Sequence, residues 1–175
     1  TWANIDAYQL LDLTFGGSGY DIACAQHDHP ITYQLLSDSG PKVNEVVFDP
    51  PFKDQLFFVY LNKKQNSRDG IKTYKTLRQN SSNSFERFNT ITESFLNCDS
   101  LSDFEGLISE HESLISELIQ QPTIKSQLFN DFKGSIKSLG AWGGDFILVT
   151  SIVDPRDYFN SKGYNTIIPY SDMIK

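Results

Sequence analysis

Cysteine, basic charge and long apolar runs are all scarce in this sequence, and each scarcity excludes a class of protein. Cys24 and Cys98 are the two cysteines. They are too few for a disulfide framework and fit no metal or redox spacing, so a reducing, cytoplasmic compartment is expected. No apolar run approaches the ~20 residues of a membrane-spanning helix. Acidic residues outnumber basic ones by 22 to 15, giving a formal charge of -7, which disfavours nucleic acid or an anionic membrane as a partner.

Apolar and aromatic residues are present in the amounts that a folded domain needs. Of the 175 residues, 39% are hydrophobic and 13% are aromatic, which suffices for a sizeable core in one domain, or in one domain and a fragment of another. A helical period is present from the start of the chain, at Trp2, Ile5, Tyr8, Leu11 and Phe15. Because the sequence begins with Thr1 inside this pattern, we expect an N-terminal truncation.

Strands and helices are predicted to alternate irregularly. β-Branched and aromatic residues predict a hairpin of strands at 31–36 and 43–48, a central strand at 55–61, and later strands at 146–152 and 166–170. Capping residues and periodicity predict helices from Ser67, Asn83 and Ser102, a short helix at 123–132, and one beginning at Asp154 and Pro155. This order predicts an α+β fold rather than a doubly wound parallel sheet.

The segment at residues 16–21 (GGSGYD) carries the clearest chemical signal. Its three glycines around Ser18 allow backbone amides to converge on an anionic ligand, and Asp21 is delivered at the end of the loop. In phosphoryl transfer to an alcohol, such a carboxylate orients the hydroxyl and accepts its proton. The alternative is that Asp21 only caps a helix after a tight turn.

A second glycine-rich segment, residues 137–145 (KSLGAWGGD), precedes a predicted strand. Its glycines allow close packing against a neighbouring loop or a phosphate, and Lys137 could reach an anion; the alternative is a purely structural connection. Neither segment has the Gly-Lys-Ser/Thr of a Walker loop or the spacing of a dinucleotide fingerprint.

The order of these segments resembles that of the GHMP kinases, the superfamily of galactokinase, homoserine kinase, mevalonate kinase and phosphomevalonate kinase. G-x-S-G-x-D early and K-x-x-G-A-x-G-G late are similar to motifs in the C-terminal two thirds of mevalonate kinase. SGYDIACAQ with LGAWGGDFILVTS resembles a bacterial branch named for its GYDIA sequence. The resemblance covers essentially the whole chain. It implies a ferredoxin-like C-terminal kinase domain at residues 51–175, with an antiparallel sheet and packed helices, after a remnant of the N-terminal nucleotide and acceptor domain at residues 1–50.

The resemblance implies transfer of the γ-phosphate of ATP to a small-molecule alcohol, with magnesium as cofactor and mevalonate as the favoured acceptor. Asp21 matches the family's catalytic aspartate, which acts as base or orients the hydroxyl. The residues matched to the acceptor pocket are Gly17, Ser18 and Gly19, with Trp142 able to cover the cleft. Those matched to the third motif, which supports the phosphate site, are Gly140, Ala141, Gly143 and Gly144.

Two features depart from the family pattern. Trp142 stands where glycine is usual, and Asp145 adds a negative charge, which implies either a branch-specific pocket or a lost activity. The family's phosphate loop, its N-terminal lysine and its magnesium-binding Ser and Glu would all lie before Thr1, so this chain alone is expected to be inactive. An apolar surface without its partner domain favours association, so a homodimer is an expected assembly.

Other functions stay open in the sequence. A relative of phosphomevalonate kinase or of diphosphomevalonate decarboxylase would share these motifs. A non-catalytic binding or interaction domain that kept the fold would explain Trp142 and the missing phosphate loop.

Histidines and arginines offer weaker candidates. His27 and His29 lack a third spaced ligand, which disfavours a zinc site. We expect these side chains to lie at the rim of the acceptor pocket or in solvent. His111 is expected to be a partly buried core histidine. Arg68 and Arg156 begin predicted helices, where either an anionic ligand or simple surface exposure would account for them.

Overall fold

The computed structural model describes residues 5–14, 16–36, 40–63, 84–140 and 144–174. The chain divides into two compact units, Thr1–Asp49 and Pro50–Lys175. The helix predicted from Ser67 lies outside the described residues. The assignment of the two units to parts of a kinase stays a prediction.

The first unit contains two short helices and a hairpin: α1 (Ala7–Thr14), α2 (Tyr20–Ala25), β1 (Ile31–Leu36) and β2 (Gly40–Glu45). The predicted hairpin is confirmed, since β1 and β2 pair antiparallel with Leu36 opposite Gly40. The second strand begins at Gly40 rather than at Val43 as predicted. The positive φ of 75° at Gly40 allows the chain to enter the strand there. Pro41 is tolerated because both strands are edge strands.

The second unit combines a four-stranded sheet with helices. A 3-10 turn (Lys53–Gln55) leads into β3 (Leu56–Tyr60), and after it come α3 (Ser84–Leu96), α4 (Leu101–Ile119), α5 (Ile124–Leu128), β4 (Ile136–Ser138), β5 (Phe146–Thr150), α6 (Arg156–Ser161), β6 (Ile167–Pro169) and α7 (Tyr170–Met173).

The strands of this sheet lie in the order β4-β5-β3-β6, and every neighbouring pair is antiparallel. Because β3 and β4 are both antiparallel to β5, they are parallel to each other with β5 between them. In the same way, β5 and β6 are parallel on either side of β3. The chain reaches β4 from β3 through α3, α4 and α5, and reaches β6 from β5 through α6, so the unit contains two split β-α-β connections. The predicted α+β class is confirmed.

The predicted central strand is also confirmed. β3 is buried on both faces, because Leu56 and Phe58 point to one side while Phe57 and Val59 point to the other. The second of these faces belongs to the main core. That core contains Leu61, Ile124, Phe129, Phe132, Ile136, Ile147, Val149 and Phe159.

Several predicted boundaries are wrong at helix ends. The N-cap of α4 is Ser100, whose hydroxyl accepts from the amide of Asp103 at 3.1 Å, rather than Ser102. Glu105, expected in that capping box, instead accepts a hydrogen bond from the hydroxyl of Thr150. The helix expected at 123–132 ends at Leu128. Leu128, expected to point inward, is 43% exposed, and Phe129 is buried in its place.

The edges of the sheet differ from prediction as well. β5 ends at Thr150 rather than at Ile152 as predicted, and Ile152 is 82% exposed. β4 was not predicted; its three residues become a strand by pairing with β5. The terminal helix α7 was also not predicted. In the described ranges, no helix combines the length and apolar character that crossing a membrane demands.

Gly134 and Gly106 give a matched test of this packing. A Cβ at Gly134 would lie 1.7 Å from the carbonyl oxygen of Thr150, whereas one at Gly106, on the exposed side of α4, would meet nothing within 4 Å. We expect Gly134→Ala to lower the free energy of unfolding by at least about 2 kcal/mol, because backbone segments must separate. Gly106→Ala should raise it by about 0.5 to 1 kcal/mol, because alanine favours the helix. Urea denaturation measures both, and equal stabilities would contradict the described contact.

Candidate functional site

The first glycine-rich loop connects α1 to α2 and adopts backbone conformations that suit glycine. Gly17 has a φ of 122° and Gly19 a φ of 78°, both in the region that side chains disfavour. Gly17 and Ser18 are exposed, whereas Gly19 is buried and forms the N-cap of α2. The loop therefore depends on its glycines for its path into the helix.

Two tyrosines from other elements hold this loop. A Cβ at Gly19 would lie 2.7 Å from the ring of Tyr8 in α1, so the ring packs directly on the glycine. The hydroxyl of Tyr33 in β1 donates a hydrogen bond to the carbonyl oxygen of Ser18. Burial, and then the nearby Tyr8, raise the pKa of Tyr33. The loop is thus fixed from both sides by side chains that are distant in the sequence.

Asp21 lies in the first turn of α2 with an exposed side chain. The alternative that Asp21 is the N-cap of this helix is wrong, because Gly19 occupies that position. The first turn is held by backbone bonds from Ile22 and Ala23 to the carbonyl of Gly19, both at 3.1 Å. The carboxylate is therefore presented to solvent on a fixed backbone, as a catalytic or substrate-orienting group would need.

Tyr20 and Cys24 form a pair one helical turn apart, beside Asp21. A hydrogen bond to Cys24, together with burial and the nearby Cys24 and Asp21 charges, raises the pKa of Tyr20 from 10.0 to about 12. The ring of Tyr20 also meets that of Tyr33 edge to face, with centroids 5.6 Å apart. The interaction of Tyr20 with Cys24 is one that the sequence analysis missed. The i, i+4 spacing of Tyr20 and Cys24 was the available signal.

The second glycine-rich loop connects β4 to β5. Gly140 is exposed with a φ of 61°, and Gly144 is buried. The predicted site residues Ala141, Trp142 and Gly143 lie outside the described residues.

Asp145 closes the second loop through its backbone. It has a φ of 54°, its amide donates to the carbonyl of Lys63 at 2.6 Å, and its carbonyl accepts from the amide of Leu61 at 2.7 Å. Asp145 thus ties the loop to the segment that follows β3.

Lys137, expected to reach an anion, lies instead against α4. Its Nζ is 3.2 Å from Nδ1 of His111 and 3.8 Å from Oε1 of Glu112. Ser138 donates to Oε2 of Glu112 at 3.0 Å. Burial lowers the pKa of Lys137, and the negative charge of Glu112 opposes that effect. These four residues are called the α4–β4 cluster below.

The histidines and the described arginine can also be placed. The prediction for His111 is confirmed, since its side chain is 21% exposed and its ring meets Phe88 edge to face at 5.5 Å. Nδ1 of His27 lies 2.7 Å from the carbonyl of Ala23. In the part of the chain that the structure describes, no three acidic, histidine or cysteine residues gather in a way that could hold a metal ion. Arg156 is exposed and pairs with Asp154 at 2.5 Å; Arg68 lies outside the described residues.

The two loops belong to different units. Gly17, Ser18, Gly19 and Asp21 come together in the first unit, and Gly140 and Gly144 lie in the second.

Glu112 in the second unit is a candidate site residue that the sequence analysis missed. Its spacing of four and eight residues from Ile108 and Phe104 placed it on the buried stripe of α4, which was the available signal.

Removing the thiol next to Tyr20 tests the geometry around Asp21. We expect Cys24→Ala to lower the pKa of Tyr20 from about 12 towards 10.0, because its largest cause is the hydrogen bond to Cys24. A raised pKa means that the stability from Tyr20 is complete below pH 10.0 and lost as pH rises through about 12. In Cys24→Ala this stability should therefore be lost at a lower pH, closer to 10.0 than to 12. Titration of the tyrosine ring signals by NMR measures it. Cys98→Ala is the control, and an unchanged Tyr20 pKa in Cys24→Ala would contradict the contact.

Comparison with protein-family models, curated proteins and solved structures finds no match to this chain. The case for a function therefore depends on the residues and on their arrangement in the two units.

Proposed function

We propose that this chain is the C-terminal portion of a GHMP-type kinase, which transfers the γ-phosphate of ATP to a small-molecule alcohol, with mevalonate as the favoured acceptor. In this proposal residues 1–50 are a remnant of the nucleotide and acceptor domain, and residues 51–175 are a ferredoxin-like C-terminal domain. A cytoplasmic location, where ATP is available, is part of the proposal.

The observation that carries the proposal is the topology of the second unit. Two split β-α-β connections in the order β4-β5-β3-β6 support the proposal of a ferredoxin-like domain. The segment that resembles the third kinase motif connects β4 and β5 in this sheet. Topology and motif order thus support the same family, although many functions share this architecture.

Asp21 supports the proposal from the first unit. Its carboxylate is exposed, and the loop before it is held by Tyr8 and Tyr33. A carboxylate fixed in this way can orient the hydroxyl of an acceptor and take its proton, the part that the protein plays in a loose phosphoryl transfer. Magnesium, with ligands expected upstream of Thr1, would supply charge neutralisation at the phosphates.

Exposed apolar residues in the first unit support the proposal that a further segment covers it. Leu13 and Val47 are more than four fifths exposed, and Ile5, Leu10 and Leu35 are about half exposed. Soluble proteins rarely leave so much apolar surface uncovered in a small unit. A homodimer would cover the same residues and is the alternative occupant.

The α4–β4 cluster favours a second candidate, a binding domain that retains the fold without catalysis. Lys137, the cation of the third motif, is directed to His111 and Glu112, which leaves it less able to meet a phosphate. Relatives that phosphorylate phosphomevalonate or decarboxylate diphosphomevalonate are alternatives within the family.

The test is ADP release by the full-length protein that contains this chain, with mevalonate, phosphomevalonate and homoserine offered separately. We expect turnover with one acceptor, and a loss of about 100- to 10,000-fold in Asp21→Asn, since the variant removes proton acceptance but keeps the shape. Asp28→Asn, which changes an exposed carboxylate in the same unit, is the matched control and should retain activity. Absence of ADP release with every acceptor, from a folded protein that binds ATP, would favour the binding domain.

A further inference from the structure

The α4–β4 cluster supports an inference that is independent of the proposed kinase activity. Its members are His111 and Glu112 from α4 and Lys137 and Ser138 from β4. The side chain of Glu112 is 5% exposed and that of Lys137 is 21% exposed. An amine, an imidazole and a carboxylate thus meet in a mostly buried place that still has some contact with solvent.

The surroundings of Lys137 support an ammonium ion poorly. Among the described residues, its Nζ has one partner within hydrogen-bonding distance, His111, while three protons of an ammonium need acceptors. Oε1 of Glu112 is 3.8 Å away, well beyond the ~2.8 Å of a charge-assisted hydrogen bond. The residue opposite Lys137 on β5 is Leu148, which is apolar. The lowered pKa of Lys137 agrees with this geometry.

His111 can exchange a proton with this amine. Its Nδ1 lies 3.2 Å from Nζ of Lys137, and a neutral imidazole can accept a proton from an ammonium at that distance. Phe88 packs edge to face against the same ring and holds its position.

Glu112 contributes a free acceptor beside the amine. Its Oε2 accepts from Ser138, but its Oε1 is buried and has no hydrogen-bond donor among the described residues. A buried carboxylate oxygen without a donor is costly, and a water or a ligand hydroxyl would satisfy it. This oxygen lies 3.8 Å from both Nζ of Lys137 and Nδ1 of His111, where the hydroxyl of an adduct on Nζ would form.

We propose that Lys137 is a carbonyl-reactive amine that binds small aldehydes covalently as an imine. The ammonium passes one proton to Nδ1 of His111, and the free Nζ bonds to the carbonyl carbon as the π electrons move to oxygen. A second proton moves from Nζ to that oxygen, and the resulting hydroxyl can donate to Oε1 of Glu112. The proton held by His111 then releases the hydroxyl as water, and the lone pair of Nζ closes the protonated C=N bond.

Access to Lys137 determines which aldehyde is a suitable probe. About a fifth of its side chain is accessible, at 21%, so a small aldehyde meets less steric obstruction than a large one.

The test is reductive trapping of the chain at pH 7 with acetaldehyde and cyanoborohydride, performed on the folded protein and in guanidinium chloride. Peptide mass spectrometry measures the rate at each lysine, and the folded rate divided by the unfolded rate reports activation by the fold. We expect this ratio to be about tenfold higher at Lys137 than at the exposed Lys133, because burial favours the free amine that attacks the aldehyde. A ratio at Lys137 equal to or below that of Lys133 would show a merely buried lysine and overturn the proposal.

Two variants distinguish the role of His111 from that of Glu112. His111→Gln keeps a polar side chain but cannot relay the proton, so the ratio at Lys137 should fall. Glu112→Gln removes the charge that favours the ammonium, so the ratio should stay or rise. Circular dichroism confirms that each variant folds. An unchanged ratio in folded His111→Gln would refute the relay, and the wild-type ratio remains a test even if a variant fails to fold.

Discussion

Burial of β3 on both faces is the constraint on which the rest of the second unit depends. β3 pairs with β5 on one side and β6 on the other, so it sets the register of both. The segment after it then holds the backbone of Asp145 through Leu61 and Lys63. The end of the second glycine-rich loop is therefore positioned by backbone bonds to the segment that follows the central strand.

Much of this sheet could be predicted because its signal is local. The run from Leu56 to Val59 is apolar at every position, which suffices to predict a strand covered on both sides. β4 could not be found in the same way. It has three residues with Lys137 at its centre, and it becomes a strand only by pairing with β5. Short edge strands of this kind depend on a partner that is distant in the sequence, so propensity does not reveal them.

In the candidate site, too, features with a local sequence signal could be predicted, and features that depend on distant contacts could not. Glycine spacing predicted the first loop and Asp21 at its end, because the backbone conformation of a loop depends on its local residue types. The contacts that fix the loop, from Tyr8 and Tyr33, connect separate elements and had no local signal. On α4, the capping box predicted from Ser102 and Glu105 does not form, because Ser100 is the N-cap and the carboxylate of Glu105 accepts from Thr150 instead. Contacts between separate elements therefore fix features of the site that local sequence patterns do not specify.

The two glycine-rich loops differ in what they offer to an anion, and this difference bears on any phosphate chemistry of the chain. The net charge of -7 works against anionic ligands. Lys137, the cation nearest the second loop in sequence among the described residues, is engaged by His111 and Glu112. Phosphate recognition at this loop would then depend on backbone amides, which act at short range against the overall charge. In that case the glycines of the loop serve to expose amides, and Lys137 acts separately, in its contacts with His111 and Glu112.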